Sequence, residues 1–128
     1  MSSFYEAWDY KELNNPFELM ASWQSSNASK RVTSVGFDTE ATGLHIKKDR
    51  PFLFQLGWGR TVFLFKPTPK FMQVVFEIFN SVRWVFAHNI KYDLNMLCNL
   101  GYAEEIKRVK GWCDSVTVAR LALEAKSA

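Results

Sequence analysis

The chain has 128 residues, 48% hydrophobic and 16% aromatic, with a formal net charge of +3. Those values describe one domain with ample core and exclude a disordered chain; no apolar run approaches the ~18 residues of a membrane span. The N-terminus has neither the basic start nor the apolar stretch of a signal peptide, and the well-separated Cys98 and Cys113 read as reduced cytosolic thiols rather than a metal pair.

In chain order, residues 1–14 read as a loose arm with a short strand near Phe4. "PFELMASWQS" predicts a helix, with Pro16 in its first turn and Phe17, Met20 and Trp23 on one face. A polar loop, "SSNASK", leads into the strand "RVTSVGFDTE" and the turn "ATGLHIKKDR". "PFLFQLGW" and "TVFLFK", separated by Gly59-Arg60, predict a hairpin. "TPKFMQVVFEIFN" follows as a helix capped by Thr68, with Phe71, Val75 and Phe79 on its buried face. Next come a buried strand, "VRWVFA", and a helix, "NIKYDLNMLCNLG", closed by Gly101. "IKRVKGW" reads as a short strand, and "DSVTVARLALEA" as a helix opened by Asp114 that meets no stop signal, as if a longer protein had been cut there. From residue 30 the order is β-β-β-α-β-α-β-α. It predicts an α/β fold with a mixed sheet and helices on its faces. The expected division is an arm and helix over 1–29 and the α/β domain over 30–128.

Asp38 and Glu40 stand two apart on a strand and so share a face, with Thr39 turned away. Paired carboxylates raise one another's pKa unless a cation intervenes, and a hard divalent ion takes oxygen ligands. Two separately solvated acids are the plain alternative. Asp93 opens a helix after a buried strand; if that strand lies parallel to the first, Asp93 comes near the pair at the sheet edge where ligands gather. Taken alone, Asp93 could simply answer the helix dipole, and Asn89 could be an N-cap. Three converging carboxylates would suit two-metal phosphoryl chemistry. The basic groups Lys47, Lys48, Arg50 and Lys107, Arg108, Lys110 read as solvated loop charge or as a phosphate-contacting rim.

"FDTEATGL" resembles the first motif of the DEDD 3′–5′ exonucleases, and "HNIKYDLNML" the second motif in the proofreading domain of bacterial and phage family A DNA polymerases. The resemblance runs from about residue 30 to the chain end. It implies an RNase H-like fold, two magnesium or manganese ions, and removal of nucleotides from DNA 3′ ends. Asp38, Glu40 and Asp93 match the metal-binding carboxylates. Leu44 matches an apolar residue packed on the terminal bases, Asn89 one near the 3′-terminal nucleotide, and Tyr92 an aromatic beside the motif. For Leu44 and Tyr92, local packing is the competing role.

The family's third motif, a Tyr a few residues ahead of a fourth Asp, is missing. No Tyr follows Tyr102, and Glu124 is the only acid after Asp114, itself more simply a helix cap. His88 reads as a strand-end histidine. The expectation is therefore a fold lacking its C-terminal helices, with one metal site weakened. The chain would be a fragment, a protein completed by a polymerase domain or second polypeptide, or a relative that binds single-stranded DNA or a replication protein without cutting. A bacterial or phage-infected cytoplasm is the implied setting.

Overall fold

A computed structural model describes residues 8–41 and 51–116. Leu44, His45, Lys47, Lys48, Arg50 and Glu124 lie outside the described residues, as do the strand expected near Phe4 and most of the final helix. No described helix is long and apolar enough to cross a membrane.

The elements are β1 (Asp9–Glu12), α1 (Pro16–Ser29), β2 (Ser34–Ala41), β3 (Pro51–Trp58), β4 (Thr61–Phe65), α2 (Pro69–Ser81), β5 (Trp84–Ala87), α3 (Ile90–Asn99), α4 (Ala103–Arg108) and β6 (Trp112–Asp114). They build a sheet in the order β1-β4-β3-β2-β5-β6. β2 is central, antiparallel to β3 and parallel to β5, so the expected mixed sheet is present.

Local chemistry explains most boundaries. Asn15 accepts from the Phe17 N–H at 2.9 Å to cap α1, and Thr68 accepts from the Phe71 N–H at 3.4 Å to cap α2; a proline follows each cap. Gly59 takes φ 61° in the two-residue turn joining β3 to β4. Gly101 takes φ 96° beyond α3, where the Tyr102 N–H returns to the Leu97 carbonyl.

Strand alternation gives the sheet one apolar face. Val35, Phe37, Phe54, Leu56, Phe63, Phe65 and Val85 are buried there. Phe71, Val75 and Phe79 of α2 pack onto it, as their spacing predicts, with Phe71 stacked on Phe65 and Phe79 tilted against Phe37. Among the described residues the helices lie on this face, and Gly36, Asp38, Glu40, Gln55 and Gly57 point the other way.

Three expectations need correction. The "arm" contributes β1, paired parallel to β4, because the Asp9 N–H and Leu13 N–H find the Arg60 and Leu64 carbonyls. α1 is rotated from its expected phase: Leu19 and Trp23 are buried while Phe17 is 79% exposed, because Trp23 meets Trp58 edge to face. "IKRVKGW" is not a strand. Its first half ends α4, which has Glu104 and Glu105 in the first turn, Lys107 and Arg108 in the last, and a Lys107–Glu104 ion pair.

Candidate active site

β2 emerges from the core carrying alternating chemistry at its C-terminal end. Asp38 and Glu40 are exposed on the open face, and Thr39 between them is buried. The pairing of β2 with β5 ends at Gly36–Phe86, and the Thr39 N–H is taken instead by Asp93. Asp93 Oδ1 accepts from the Thr39 N–H at 3.0 Å and from the Thr39 hydroxyl at 2.7 Å. The ladder to β3 then shifts register between Glu40 and Ala41, a bulge of the sort that re-aims side chains beside active sites.

Asp93 is 1% exposed, yet its Oδ2 has no hydrogen-bond partner. Burial raises its pKa to about 6, opposed by the Thr39 hydrogen bonds and by His88, and reinforced by the negative charge of Asp38. Asp38 and Asp93 are thus close enough to feel one another, although they reach the strand end from opposite faces. Glu40 leans elsewhere, where Oε1 accepts from Gln55 Nε2 at 3.3 Å. Among the described residues no three His, Cys, Asp or Glu side chains are grouped to hold a metal ion.

A divalent cation nonetheless fits what is present. An orphaned buried carboxylate oxygen beside a second acid is a site a cation would relieve, and magnesium is commonly held by one or two carboxylates plus water and substrate oxygens. Asp38 and Asp93 are the residues that could hold it, Asp93 through its free Oδ2.

Asn89 occupies the N-cap position of α3 but makes no cap bond, contrary to the capping role. Capping needs extended backbone, whereas Asn89 is left-handed at φ 59° and ψ 60°. Its own N–H donates to Asp114 Oδ1 at 3.3 Å, and the same oxygen accepts from the Val116 N–H at 3.0 Å. Asp114 therefore caps its own turn, as expected, and also ties that turn to the second motif. The Ser115 hydroxyl lies 3.3 Å from His88 Nδ1 and bonds the Ala87 carbonyl at the same distance. Tyr92 is half-buried on α3 next to Asp93.

Thr39 and Gln55 are the residues that sequence reasoning missed. A hydroxyl on the buried face of an acidic strand end must find a partner, and that is the one signal that singles out Thr39.

No family model matches the chain, and no curated protein matches it. Solved structures do. The Trypanosoma brucei RNase D complex with RNA U12 superposes with TM-score 0.63 at 18% identity, covering 88% of this chain and 39% of that one. Escherichia coli RNase D, an exoribonuclease involved in structured RNA processing, gives 0.57 at 21% identity over 72% and 24%. The Aedes aegypti Nibbler EXO domain gives 0.60 at 11% identity over 90% and 56%. The described sheet and helices thus share the RNase H-like fold of these exonucleases, and the chain spans less than two thirds of each neighbour's length.

Proposed function

We propose that this chain forms part of a metal-dependent 3′–5′ exonuclease acting on the 3′ end of a nucleic acid strand. The observation that carries the reading is the unpartnered Oδ2 of Asp93, buried beside Asp38 at the end of the central strand. Asp38 and Asp93 would hold one magnesium or manganese ion, and Glu40, released from Gln55, would serve a second and weaker site. A bound divalent ion supplies Lewis-acid polarisation of the phosphoryl group and lowers the pKa of water. Thr39 holds Asp93 in place, leaving its second oxygen free. By motif resemblance, Asn89 and Tyr92 would contact the terminal nucleotide and Leu44 its base; Asn89 is exposed and Tyr92 half-buried.

The two motifs favour DNA and a place ahead of a polymerase domain in a bacterial or phage-infected cytoplasm, whereas the RNase D neighbours named above are ribonucleases by name. Substrate preference is therefore part of the test. The chain is incubated with manganese and 3′-end-labelled single-stranded DNA or RNA of one sequence, beside Asp38→Ala. Label release by the parent alone is the expected result. Equal release by both would sink the reading.

The hydrogen bond that Gln55 Nε2 donates to Glu40 Oε1, which occupies the third carboxylate, favours a second reading, a module that binds single strands without cutting them. In the same experiment it yields retention of the strand and no release of label.

A further inference from the structure

At the opposite end of β2 from the acids lies a groove of about 410 Å³ whose lining includes Lys30, Arg31, Arg60, Ser29, Ser34 and Thr61. We propose that it is a phosphate-binding site for the body of a nucleic acid strand, distal to the 3′ end; this rests on the exonuclease reading above.

Three features point to an anionic ligand. First, all three cations are exposed and none is ion-paired with a described residue. The C-terminal dipole of α1 accounts for a cation at Lys30, its C-cap, but for neither Arg31 nor Arg60. The neighbouring acid by register is Asp9, opposite Thr61 on β1, so positive charge predominates. Second, hydroxyls of Ser34 and Thr61 add neutral donors of the kind that contact phosphate oxygens, whereas the Ser29 hydroxyl already donates to the Ser25 and Ser26 carbonyls.

Third, the backbone that carries the cations is fixed in advance. The Lys30 N–H bonds the Ser26 carbonyl at 3.0 Å, and the Val32 N–H bonds Asn27 Oδ1 at 3.1 Å. The Arg60 carbonyl accepts from the Asp9 N–H at 2.8 Å, and Trp58 Nε1 donates to Ser26 Oγ at 2.9 Å, tying the hairpin end to α1. Cations from two separate elements are thus held around one groove at little ordering cost.

The spacing favours a strand over an isolated phosphate. Glu40 lies six positions beyond Ser34 along β2, about 20 Å at ~3.3 Å per residue. A strand with its 3′ end at the acids reaches the groove only when several nucleotides long.

Binding is measured by fluorescence anisotropy in metal-free buffer, so that it does not depend on hydrolysis. The ligands are a labelled single-stranded 12-mer and a trinucleotide. The proteins are the parent, the combined variant Lys30→Gln/Arg31→Gln/Arg60→Gln, and the control Lys11→Gln/Lys66→Gln/Lys70→Gln, three exposed cations away from the groove. The first variant should weaken the 12-mer about tenfold and lower its salt slope by about 2, from ~0.7 per phosphate contact on single strands. It should leave the trinucleotide within twofold. Unchanged 12-mer affinity overturns the proposal. So does equal weakening of both ligands, which would mean an isolated-phosphate site, or equal weakening by the control, which would mean net charge alone. Loss of hydrolysis in Asp38→Ala tests the exonuclease reading separately.

Discussion

The two ends of β2 handle charge in opposite ways. At the C-terminal end a carboxylate is buried, given two hydrogen bonds on one oxygen and none on the other, and set beside a second acid. At the N-terminal end three cations stay in solvent, where they cost little, and the structural effort goes into pinning the backbone beneath them. The acidic end is thus under electrostatic strain that a ligand can relieve, while the basic end is ready without rearrangement. Strain of the first kind is what chemistry at a phosphate needs; readiness of the second kind suits attraction and alignment.

If that contrast is right, substitutions at the two ends should separate chemistry from binding. Asp38→Asn should lower manganese-dependent hydrolysis of a 3′-labelled strand by more than about a hundredfold, beyond the 10–100-fold typical of residues that only support metal ligands. Neutralising Lys30, Arg31 and Arg60 should instead raise KM and leave kcat nearly unchanged. A fall in kcat from the basic-end variant would erase the distinction.

Thr39→Val comes next in size. It keeps the backbone N–H to Asp93 and removes the 2.7 Å hydroxyl bond. Activity should drop about 10–100-fold through misplacement of Asp93. Stability above pH 7 should fall by about 1.5–3 kcal/mol, the range for a hydrogen bond to a charged group. Thr39→Ser should restore most of both, read from initial rates and urea melts.

Much of this was legible in the sequence because it depends on near neighbours. Alternation in "VGFDTE" placed Asp38 and Glu40 on one face, Gly59-Arg60 marked the hairpin, and Thr68-Pro69 set the start of α2. The features that escaped depend on tertiary partners. Phe17 and Trp23 are equally apolar, and only the contact with Trp58 decides which is buried. β1 is exposed and polar, so its strand identity comes from the free edge of β4 rather than from its own pattern. Likewise, the basic groove draws on residues some thirty positions apart and has no local signature, and the acids were expected to converge more simply than they do. Glu40 pairs with Gln55, and Asp93 arrives from the core side through Thr39.

The buried acid also gives the two ends different responses to pH. The folded-state pKa of Asp93 is about 6, above the ordinary value of 3.8, so the native state binds the extra proton. Its stabilising contribution is complete below pH 4 and is lost as pH rises through 6. Asp93→Asn should therefore gain in melting temperature over the parent as pH climbs from 4 to 7, while losing activity. Manganese at pH 7 should stabilise the parent and leave Asp93→Asn unmoved, because a ligand stabilises only the state that binds it. Parallel melting curves for the two proteins across this range would count against a strained Asp93.

The smallest effect tests whether the basic end is truly held in place. Ser26→Ala leaves Trp58 packed against Trp23 and Phe63 and removes only the hydroxyl that accepts from its indole N–H. The hydrogen bond is worth about 0.5–1.5 kcal/mol, so the melting temperature should fall only slightly. Affinity for a long single strand should fall more than that loss alone explains, since Ser26 and Trp58 join the hairpin to the helix end and hold the cations of both around one groove. Pre-organisation shows itself in this way: a bond in the wall of the groove changes binding by letting the charges around it drift apart. An affinity that tracks stability alone would reduce the groove to three independent surface charges, whereas hydrolysis at the acidic end should be untouched in either case.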